Sequence, residues 1–391
     1  MKEETTTWPS RPLGELLSIQ SGFAFKSTQF STTKGVPLIR IRDLKNGTST
    51  EVNFDGDFDS QYQVGRGDFL IGMDGEFRCH QWQGETALLN QRVCRLKDFS
   101  PDLHPRFLFH GINKYLAEIE NRTAYTTVKH LSAKTIKAIN FPLPPLEEQR
   151  RIVAILDEAF EGLARARAHA EANLRDAKEL FNNSLLALYS EIDAVAPRKT
   201  LSEAATGFGR GRSRHRPRNA PFLYGGPYPF IQTGDVRQAD GVLLDYTQTY
   251  SEQGLAQSKL WPEGTVCITI AANIAETAVL GFDACFPDSV IGMVPDPTVT
   301  SSSYVEYMLR YFAAELKAQG KGSAQDNINL GTFEQASFPF PEMEVQSRVV
   351  ERLDEIGRQT ALLTANYVKT LADFDQLRQS ILKKAFSGGL S

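Results

Sequence analysis

Apolar residues follow two kinds of pattern along the chain: short runs separated by turn residues, and two long stretches with helical spacing. The short runs are rich in β-branched and aromatic residues and are bounded by Gly, Asp and Asn, which is typical of strands. A helical pattern follows each group of runs, at Arg106–Glu120 and at Tyr304–Lys317. This order predicts two strand-rich globular units that each close with a helix. The predicted strand runs are residues 36–44, 67–73, 87–96, 228–236, 264–272 and 288–294.

The two long stretches, residues 146–191 and 343–387, are predicted to be long helices. Each follows a proline-rich stop, and acidic residues in the first turn suit the positive end of a helix dipole. Apolar residues then recur at intervals of three and four, as in a heptad seam. At 1.5 Å per residue, each helix would be about 65–70 Å long.

One of these seams is built mostly from small residues and the other mostly from large ones. Because small and large side chains can interdigitate closely, we predict that the two helices pair with each other, antiparallel, as a coiled coil. A helical hairpin that serves only as a scaffold is the alternative. The candidate pairing positions are Ala166, Ala170 and Ala177 in the first helix, and Leu363, Tyr367 and Phe374 in the second.

A sequence repeat links the two halves of the chain. Residues 140–158 and 337–355 align at an offset of 197, about half of the 391 residues, which is too long for a solenoid unit. It indicates a duplicated domain with a duplicated connector, and such a chain has the pseudo-two-fold symmetry that suits a two-part site on a duplex. The identical pairs are Phe141/Phe338, Pro142/Pro339, Pro144/Pro341, Glu147/Glu344, Gln149/Gln346, Arg151/Arg348, Val153/Val350, Leu156/Leu353, Asp157/Asp354 and Glu158/Glu355.

The composition, 41% hydrophobic and 23% charged, is that of an ordinary globular protein. The sequence shows neither an apolar run long enough to span a membrane nor a secretory signal at its start, so a cytoplasmic location is expected. The four cysteines are scattered without a CxxC pair, which favours reduced thiols and argues against a zinc site. A net charge of −4 argues against a general polyanion binder but permits local basic patches.

Motifs of the common enzymes are missing from the sequence. It contains no GxxxxGK[ST] phosphate loop, no GxSxG elbow and no HExxH helix, and the Asp/Asn-Pro-Pro-aromatic signature of amino-methyltransferases is absent. The Gly-rich stretch 207–212 lacks the third glycine of a dinucleotide loop. These absences favour a binding protein with no catalytic or metal site of its own.

The remaining polar clusters suit nucleic acid. Residues 198–220 contain seven Lys or Arg and one acidic residue, and the glycines there predict a flexible loop whose arginines follow phosphates or read guanine. A solvated loop is the alternative. In the first unit, Arg and Gln can read base edges and Trp can stack or wedge. The candidate DNA-binding residues are Arg78, His80, Gln81, Trp82, Gln83, Thr127, Lys129, His130, Arg210, Arg212, Arg214, Arg216, Arg218, Gln325 and Asn327.

Several of these segments resemble the specificity subunit of type I restriction-modification enzymes. The resemblance rests on PLPPLEEQRRIVAILD (142–157) and PFPEMEVQSRVVERLD (339–354), on the runs 67–77, 87–96, 228–236 and 327–330, and on the ending 377–390. It covers nearly the whole chain in the family's order, and a proline-to-LD signature that occurs twice before a long helix is highly specific. The second copy departs from the first at Glu342 and Val345.

The resemblance implies an α+β fold: two strand-rich α/β target-recognition domains separated by a pair of long antiparallel coiled-coil helices. The expected segments are 1–145, 146–197, 198–341 and 342–391. Such a subunit reads a bipartite sequence on double-stranded DNA, one half-site per recognition domain, and its paired helices set the gap. They also dock two methyltransferase (modification) subunits, which carry S-adenosylmethionine, and restriction subunits with ATP-dependent translocase activity join the complex.

Two other functional classes stay open at the level of the sequence. A stand-alone methyltransferase or nuclease with an unrecognised active site would bind S-adenosylmethionine as a purified chain. A scaffold whose two units bind protein would show no salt-sensitive, sequence-specific binding to a duplex.

Overall fold

The computed structural model describes residues 8–123, 129–271, 274–320 and 330–389. The candidates Thr127, Gln325 and Asn327 lie outside these described residues. The chain divides into two compact units, the first formed by Met1–Ala170 with Lys369–Ser391 and the second by Glu171–Val368. The division of the chain into four segments at 145, 197 and 341 stays a prediction.

The first half of the chain carries eleven strands, four α-helices and three short 3-10 turns among the described residues, the turns being Ser27–Gln29, Ile41–Leu44 and Ser60–Tyr62. The strands and helices, in chain order, are β1 Ser10–Pro12, α1 Leu13–Leu16, β2 Ser18–Ser21, β3 Phe30–Ser31, β4 Val36–Ile39, β5 Asn53–Phe54, β6 Gln63–Val64, β7 Phe69–Gly72, β8 Cys79–Gln81, β9 Ala87–Leu89, β10 Val93–Lys97, α2 Pro105–Arg122, α3 Ala133–Lys137, β11 Asn140–Pro142 and α4 Leu146–Asp193.

The second half repeats much of this order, with one 3-10 turn at Pro221–Leu223. Its elements are β12 Arg198–Thr200, β13 Ala205–Arg210, β14 Tyr224–Phe230, α5 Thr233–Gln238, β15 Val242–Leu243, β16 Gln248–Tyr250, α6 Glu252–Ala256, β17 Leu260–Trp261, β18 Val266–Thr269, β19 Thr277–Leu280, β20 Ala284–Cys285, β21 Val290–Pro295, α7 Ser302–Gly320, α8 Leu330–Gln335, β22 Ser337–Pro339 and α9 Met343–Phe386.

Both units contain the same antiparallel sheet core. In the first unit the strand order is β2-β10-β7-β8, and in the second it is β13-β21-β18-β19, extended by the parallel strand β15. A second sheet accompanies each core, β3-β5-β4-β9-β6 in the first unit and β16-β14-β20-β17 in the second. Each unit also has a short antiparallel pair of strands, β1 with β11 in the first and β12 with β22 in the second. In each pair the second strand is the one that precedes a long helix. The fold is therefore α+β with an internal repeat.

One helix packs on each sheet core because its apolar residues fall on one face. In α2 these are Phe107, Leu108, Ile112 and Leu116, spaced by one or four positions and fully buried. Pro105 occupies the first turn of α2, where its missing N–H is tolerated. The same pattern recurs in the second unit, where the buried apolar residues of α7 are Tyr304, Val305, Met308, Leu309, Phe312 and Leu316.

Two of the predicted strand runs are wrong in their second halves. Residues 36–44 form a strand only to Ile39 and residues 228–236 only to Phe230, after which the chain turns into the 3-10 turn Ile41–Leu44 and into α5. The cause is an acidic cap in both units. The carboxylate of Asp43 accepts the backbone N–H of Arg40 at 2.8 Å, and Asp235 accepts that of Gln232 at 2.8 Å. This reciprocal cap favours a helical turn over continued extension.

Within each unit, a part of α4 lies beside a part of α9. In the first unit Arg167 donates to Asp375 at 2.7 Å, and the guanidinium of Arg378 lies 4.2 Å from the ring centroid of Phe160. The contact partner moves backwards along α9 as α4 advances, so the pairing there is antiparallel. In the second unit the backbone of Gly357 in α9 approaches the ring of Phe181 in α4, because a Cβ at Gly357 would lie 3.6 Å from that ring.

The buried stripes of these helices drift, and this corrects one proposed pairing position, Leu363. Every seventh residue from Gln149 to Ala177 and from Gln346 to Ile381 is buried or half-buried. Of the positions three residues further on, Asn173, Leu180, Leu363 and Leu377 are exposed. The positions four residues further on stay buried or half-buried as far as Phe181 in α4 and Leu371 in α9, because 3.6 residues per turn do not match a seven-residue repeat. Leu180, Leu363 and Leu377 are consequently exposed by 47%, 39% and 47% and lie off the buried stripe.

The other proposed pairing positions lie on the buried stripes. Ala170 and Ala177 are buried, while Ala166, Tyr367 and Phe374 are half-buried. In this part of α9 the buried residue is Thr360, whereas the sequence predicts that the larger Leu363 is buried.

Candidate nucleic-acid interface

The arginine-rich segment of the second unit is an anchored extension of β13. Gly211 N–H donates to the carbonyl of Val290 at 2.8 Å, and Arg212 N–H donates to that of Phe286 at 2.9 Å. A Cβ at Gly211 would lie 2.2 Å from the Phe286 oxygen, so glycine is needed there for close approach of two backbones. The prediction of a flexible loop is therefore wrong for residues 205–212, which are held by backbone hydrogen bonds.

Two side chains of the neighbouring loop fix the next residues. The Gln257 side-chain oxygen accepts the backbone N–H of Arg214 at 2.5 Å and of His215 at 2.9 Å. The Ser258 hydroxyl donates to the carbonyl of Arg212 at 2.8 Å. Residues alternate along this extended chain: Gly211 and Ser213 are buried, whereas the arginines on either side are exposed. The backbone thus presents Arg210, Arg212 and Arg214 to solvent.

The five arginines are not equivalent. Arg216 donates to the carbonyls of Ser213 and His215 at 2.7 and 2.8 Å, and Arg218 contacts both carboxylate oxygens of Asp288 at 2.9 Å. Burial, with the positive charge of Arg212, lowers the pKa of the nearby Lys259. Arg212 and Lys259 therefore place two positive charges close together, where a phosphate can relieve their repulsion.

The polar cluster of the first unit lies on and around β8. Arg78 donates to Glu120 at 3.3 Å and to its own carbonyl neighbour, Phe77, at 2.7 Å. His80 and Gln81 are half-buried and Gln83 is exposed. Burial lowers the pKa of the His80 imidazole. The cluster borders a cleft with a volume of about 420 Å³.

Trp82 contradicts its predicted role in stacking or wedging. Its side chain is 1% exposed, it packs in a core cluster with Leu70 and Leu89, and its indole N–H donates to the carbonyl of Glu85 at 2.8 Å. A residue so enclosed cannot reach a base without unfolding the strands around it. Trp82 is a core residue of the first unit.

The third candidate cluster is only partly described. Lys129 donates to the carbonyl of Glu120 at 2.8 Å, and the Nδ1 atom of His130 lies 2.6 Å from the carboxylate of Asp74. Both side chains are therefore engaged within the first unit, and His130 is exposed at its surface. Their contact with DNA stays a prediction.

The repeated signature contains a buried glutamine that hydrogen-bonds the start of each long helix to the loop before α2 or α7. Gln149 donates to the carbonyls of Asp102 and Pro144 at 2.8 Å and accepts from the backbone of His104 at 2.8 Å. Gln346 donates to Val299 and Pro341 at 2.9 and 2.8 Å and accepts from the Thr300 hydroxyl at 2.8 Å. Both side chains are buried, and only an amide can both donate and accept these hydrogen bonds. This explains why glutamine occurs at this position in both copies.

The repeated aspartate makes a second fastening. Asp157 lies 2.6 Å from Arg106 and 2.8 Å from His110 on α2, and Asp354 accepts from Tyr307 on α7 at 2.6 Å. Burial works to raise the pKa of Asp157, but the hydrogen bonds from Arg106 and His110 outweigh it and lower that pKa. Burial lowers the pKa of His110 despite its carboxylate neighbour. The aspartates therefore hold helix to helix.

Other residues of the signature are repeated although they face solvent. These are Glu147 and Glu344, Arg151 and Arg348, and Glu158 and Glu355, none of which belongs to a hydrophobic core cluster among the described residues. Their ion pairs run along their own helix, as in Arg348 to Glu344 at 2.5 Å. Exposed pairs of this kind contribute little to stability. Their repetition points to a surface that is used twice.

Sequence reasoning missed one feature, the aromatic residue near the end of each long helix. Phe386 of α9 lies 4.9 Å from Phe107 in the first unit, centroid to centroid. Tyr189 of α4 lies 5.5 Å from Tyr304 in the second unit and donates to its carbonyl at 2.9 Å. These pairs are related by the 197-residue offset, which could have revealed them.

We expect Phe386→Ala to destabilise the first unit by about 3 kcal/mol, because it removes a ring packed on Phe107 and Phe141. The measurement is denaturant unfolding of the chain followed by tryptophan fluorescence. Lys383→Ala, an exposed substitution on the same helix, serves as the control and should change stability little. Equal stability of the two variants would show that the end of α9 is not anchored.

The described residues offer little support for a metal, thiol or membrane site. Within them, no three His, Cys, Asp or Glu side chains form a group that could hold a metal ion, and no helix has the length and apolar character needed to cross a membrane. All four cysteines are buried and free, and burial raises the pKa of the Cys94 thiol to about 12.

Comparison with known proteins confirms the resemblance seen in the sequence. The family described as "Type I restriction modification DNA specificity domain" matches residues 5–168 and 209–370. The specificity subunit of the type I restriction enzyme EcoBI from Escherichia coli is 28% identical over 413 residues, covering 98% of this chain and 86% of that protein.

Two solved structures share the fold at 22% sequence identity. The HsdS subunit from Thermoanaerobacter tengcongensis superimposes with a TM-score of 0.66 and covers 98% of each chain. A chain from a structure on complex assembly and conformational transition of the type I R-M system gives a TM-score of 0.75 over 98% of this chain and 99% of that chain. Because the family matches both halves, the chain belongs to the type I restriction-modification specificity family and is a DNA specificity subunit.

Proposed function

We propose that the chain reads a bipartite sequence on double-stranded DNA, with one half-site for each unit. The observation that carries this proposal is the duplication: two units share a sheet core, and each bears its own polar cluster. Members of the family supply DNA recognition and are not the catalytic component. The differing clusters of the two units would give the two half-sites different sequences.

The geometry of the second unit supports reading by a fixed edge of arginines. Arg212 and Arg214 are exposed on a backbone that Ser258 and Gln257 hold in place. A preorganised arginine loses less entropy on binding than one on a mobile loop. Such arginines can contact phosphates or donate two hydrogen bonds to guanine in the major groove.

We expect replacement of both Arg212 and Arg214 by Ala to lower the salt slope of DNA binding by about two units, one for each phosphate contact. Arg216→Ala should change the slope less, since Arg216 donates to the carbonyls of Ser213 and His215. The measurement is equilibrium binding of the assembled complex to a labelled duplex at several salt concentrations. If the double variant keeps the wild-type slope, these arginines do not contact phosphate.

The proposed partners are two methyltransferase (modification) subunits. Support comes from the signature, in which Glu147, Arg151 and Glu158 face solvent and recur as Glu344, Arg348 and Glu355. A surface present twice on one chain suits two copies of one partner. S-adenosylmethionine would reside on these partners and ATP on restriction subunits with translocase activity, all acting on DNA in the cytoplasm.

A reconstituted complex of the chain with its methyltransferase partner tests this function. The methylated adenines should define a motif with two fixed half-sites and an unspecified gap. Exchanging the first unit for that of a related subunit should change one half-site and leave the other. Methyl transfer to DNA by the isolated chain, with partner contamination excluded, would contradict the proposal and favour a stand-alone methyltransferase. The absence of sequence-specific binding would favour a protein-binding scaffold.

A further inference from the structure

A basic cleft in the first unit is bordered by α2, at Phe109 and Asn113, and by three other parts of the chain. These three are the loop that follows the 3-10 turn Ile41–Leu44, the residues around β8, and α9 near Arg378. Its volume of about 420 Å³ is within the range of sites that hold small ligands. Among the described residues that line it, none is acidic, and three are cations: Lys45, Arg78 and Arg378.

The cations of this cleft are held in position by neighbouring groups. The guanidinium of Arg378 lies 4.2 Å from the ring centroid of Phe160, which fixes its direction. Burial lowers the pKa of Arg378, and the side chain keeps an exposed face that an anion in the cleft can reach. Lys45 and Arg78 share one carboxylate, Glu76, at 3.0 and 3.9 Å.

The polar groups between these cations can also donate hydrogen bonds. His80, Gln81 and Gln83 line the same cleft. Amide and imidazole N–H groups, together with guanidinium and ammonium, form the donor set that recognises phosphate oxygens. A cleft of this volume has room for a phosphate with its attached sugar.

We propose that this cleft binds a phosphate group, with Lys45, Arg78 and Arg378 as its cationic donors. The proposal rests on the proposed function, because the source that it favours is the backbone of the DNA beside the half-site read by the first unit. It adds a residue of the long helix α9, Arg378, to a DNA interface otherwise built from the recognition unit. A free phosphate or nucleotide is the other source of the same chemistry.

The second unit has a cleft of the opposite charge, whose described lining residues all fall between Asp235 and Thr247. It lies beside α5 and the residues after it, has a volume of about 330 Å³, and is lined by Asp235, Asp240 and Asp245. No Lys, Arg or His occurs among its described lining residues. This cleft therefore lacks the cationic donors that the proposed phosphate site requires.

The test uses the complex of the chain with its methyltransferase partner and a labelled duplex that carries the methylated motif. Arg378→Gln and Lys45→Gln should each weaken binding about three- to tenfold at low salt and lower the salt slope by about one unit. Lys383→Gln, which removes an exposed cation of the same helix outside the cleft, is the matched control and should leave the slope unchanged. Arg378→Lys should restore the slope, which separates charge from any structural role of the guanidinium.

A gain-of-affinity variant gives a second readout that misfolding cannot imitate. Glu76 competes for Lys45 and Arg78, and hydrogen bonding from Lys45 lowers the pKa of its carboxyl group. Glu76→Gln should therefore strengthen DNA binding about threefold by freeing Lys45, whereas Arg78 keeps its contact with Glu120 at 3.3 Å. The increase should disappear in the double variant with Lys45→Gln.

The outcomes separate the two sources from each other and from failure. Slope changes with the duplex assign the site to the DNA backbone. If they are absent but inorganic phosphate raises the melting temperature of the wild type and not of Arg378→Gln, the site takes a free phosphate. If both effects are absent while the wild type still binds DNA sequence-specifically, the cleft is not a phosphate site. The proposed function is unaffected by that result. A wild-type complex that binds no sequence specifically overturns the proposed function itself.

Discussion

A matched insertion of seven residues in both long helices should lengthen the gap in the methylated motif by about three base pairs. Seven residues add about 10 Å of helix, and B-DNA rises about 3.4 Å per base pair along each strand. The insertion in α4 belongs after Ala170. The contacts of Arg167 with Asp375 and of Phe160 with Arg378 place its match in α9 near Leu371. Both half-sites should survive, since neither recognition unit is altered.

The measurement for this prediction is methylation mapping with the wild-type and the lengthened complex. An insertion in α4 alone is the control, and it should reduce activity, because the two seams then fall out of register. A motif whose half-sites change while the gap stays fixed would show that the helices do not set the spacing. Such a result would also contradict the proposal that each unit recognises one half-site.

Leu353→Asp is expected to unfold the second unit, at a cost of about 4 kcal/mol or more. Leu353 is 0% exposed and belongs to the core cluster of that unit, so the substitution buries an unpaired carboxylate. Leu363→Asp lies on the same helix but replaces a side chain that is 39% exposed, and it should cost less than about 1 kcal/mol. Thermal unfolding of both variants measures the difference. Equal losses would contradict the drift of the buried stripe described for α9.

The sequence predicted the long helices and the duplication because both depend on patterns that side-chain identity displays directly. The repeated aspartate meets His110 on α2 and Tyr307 on α7, and the repeated glutamine donates to the carbonyls of Asp102 and Val299. Both pairs of partners are separated by the same 197 residues. The position of Leu363 could not be predicted in this way. Whether a heptad position is buried after several turns depends on how strongly the helices supercoil, which the pattern alone does not state.

The candidate site was less predictable, since residue type says little about burial. Trp82 was expected at the surface, but a Cβ at Gly84 would lie 2.5 Å from its ring, so the chain folds back tightly over the indole. Alternating glycine and arginine suggested mobility. In the structure Gly211 serves the close approach to Phe286, a contact from a distant part of the chain. Arg378 entered the candidate site only when folding brought α9 beside the recognition unit.

The drift of the buried stripes limits the target spacings that such a protein can acquire. Each added heptad turns the stripe by about 20° relative to the helix axis, so repeated seven-residue insertions would rotate the seam out of contact after a few steps. Eleven residues, at about 3.67 per turn, drift in the opposite sense. Longer gaps should therefore arise from mixed insertions of seven and eleven residues, and the attainable spacers form a series of discrete lengths.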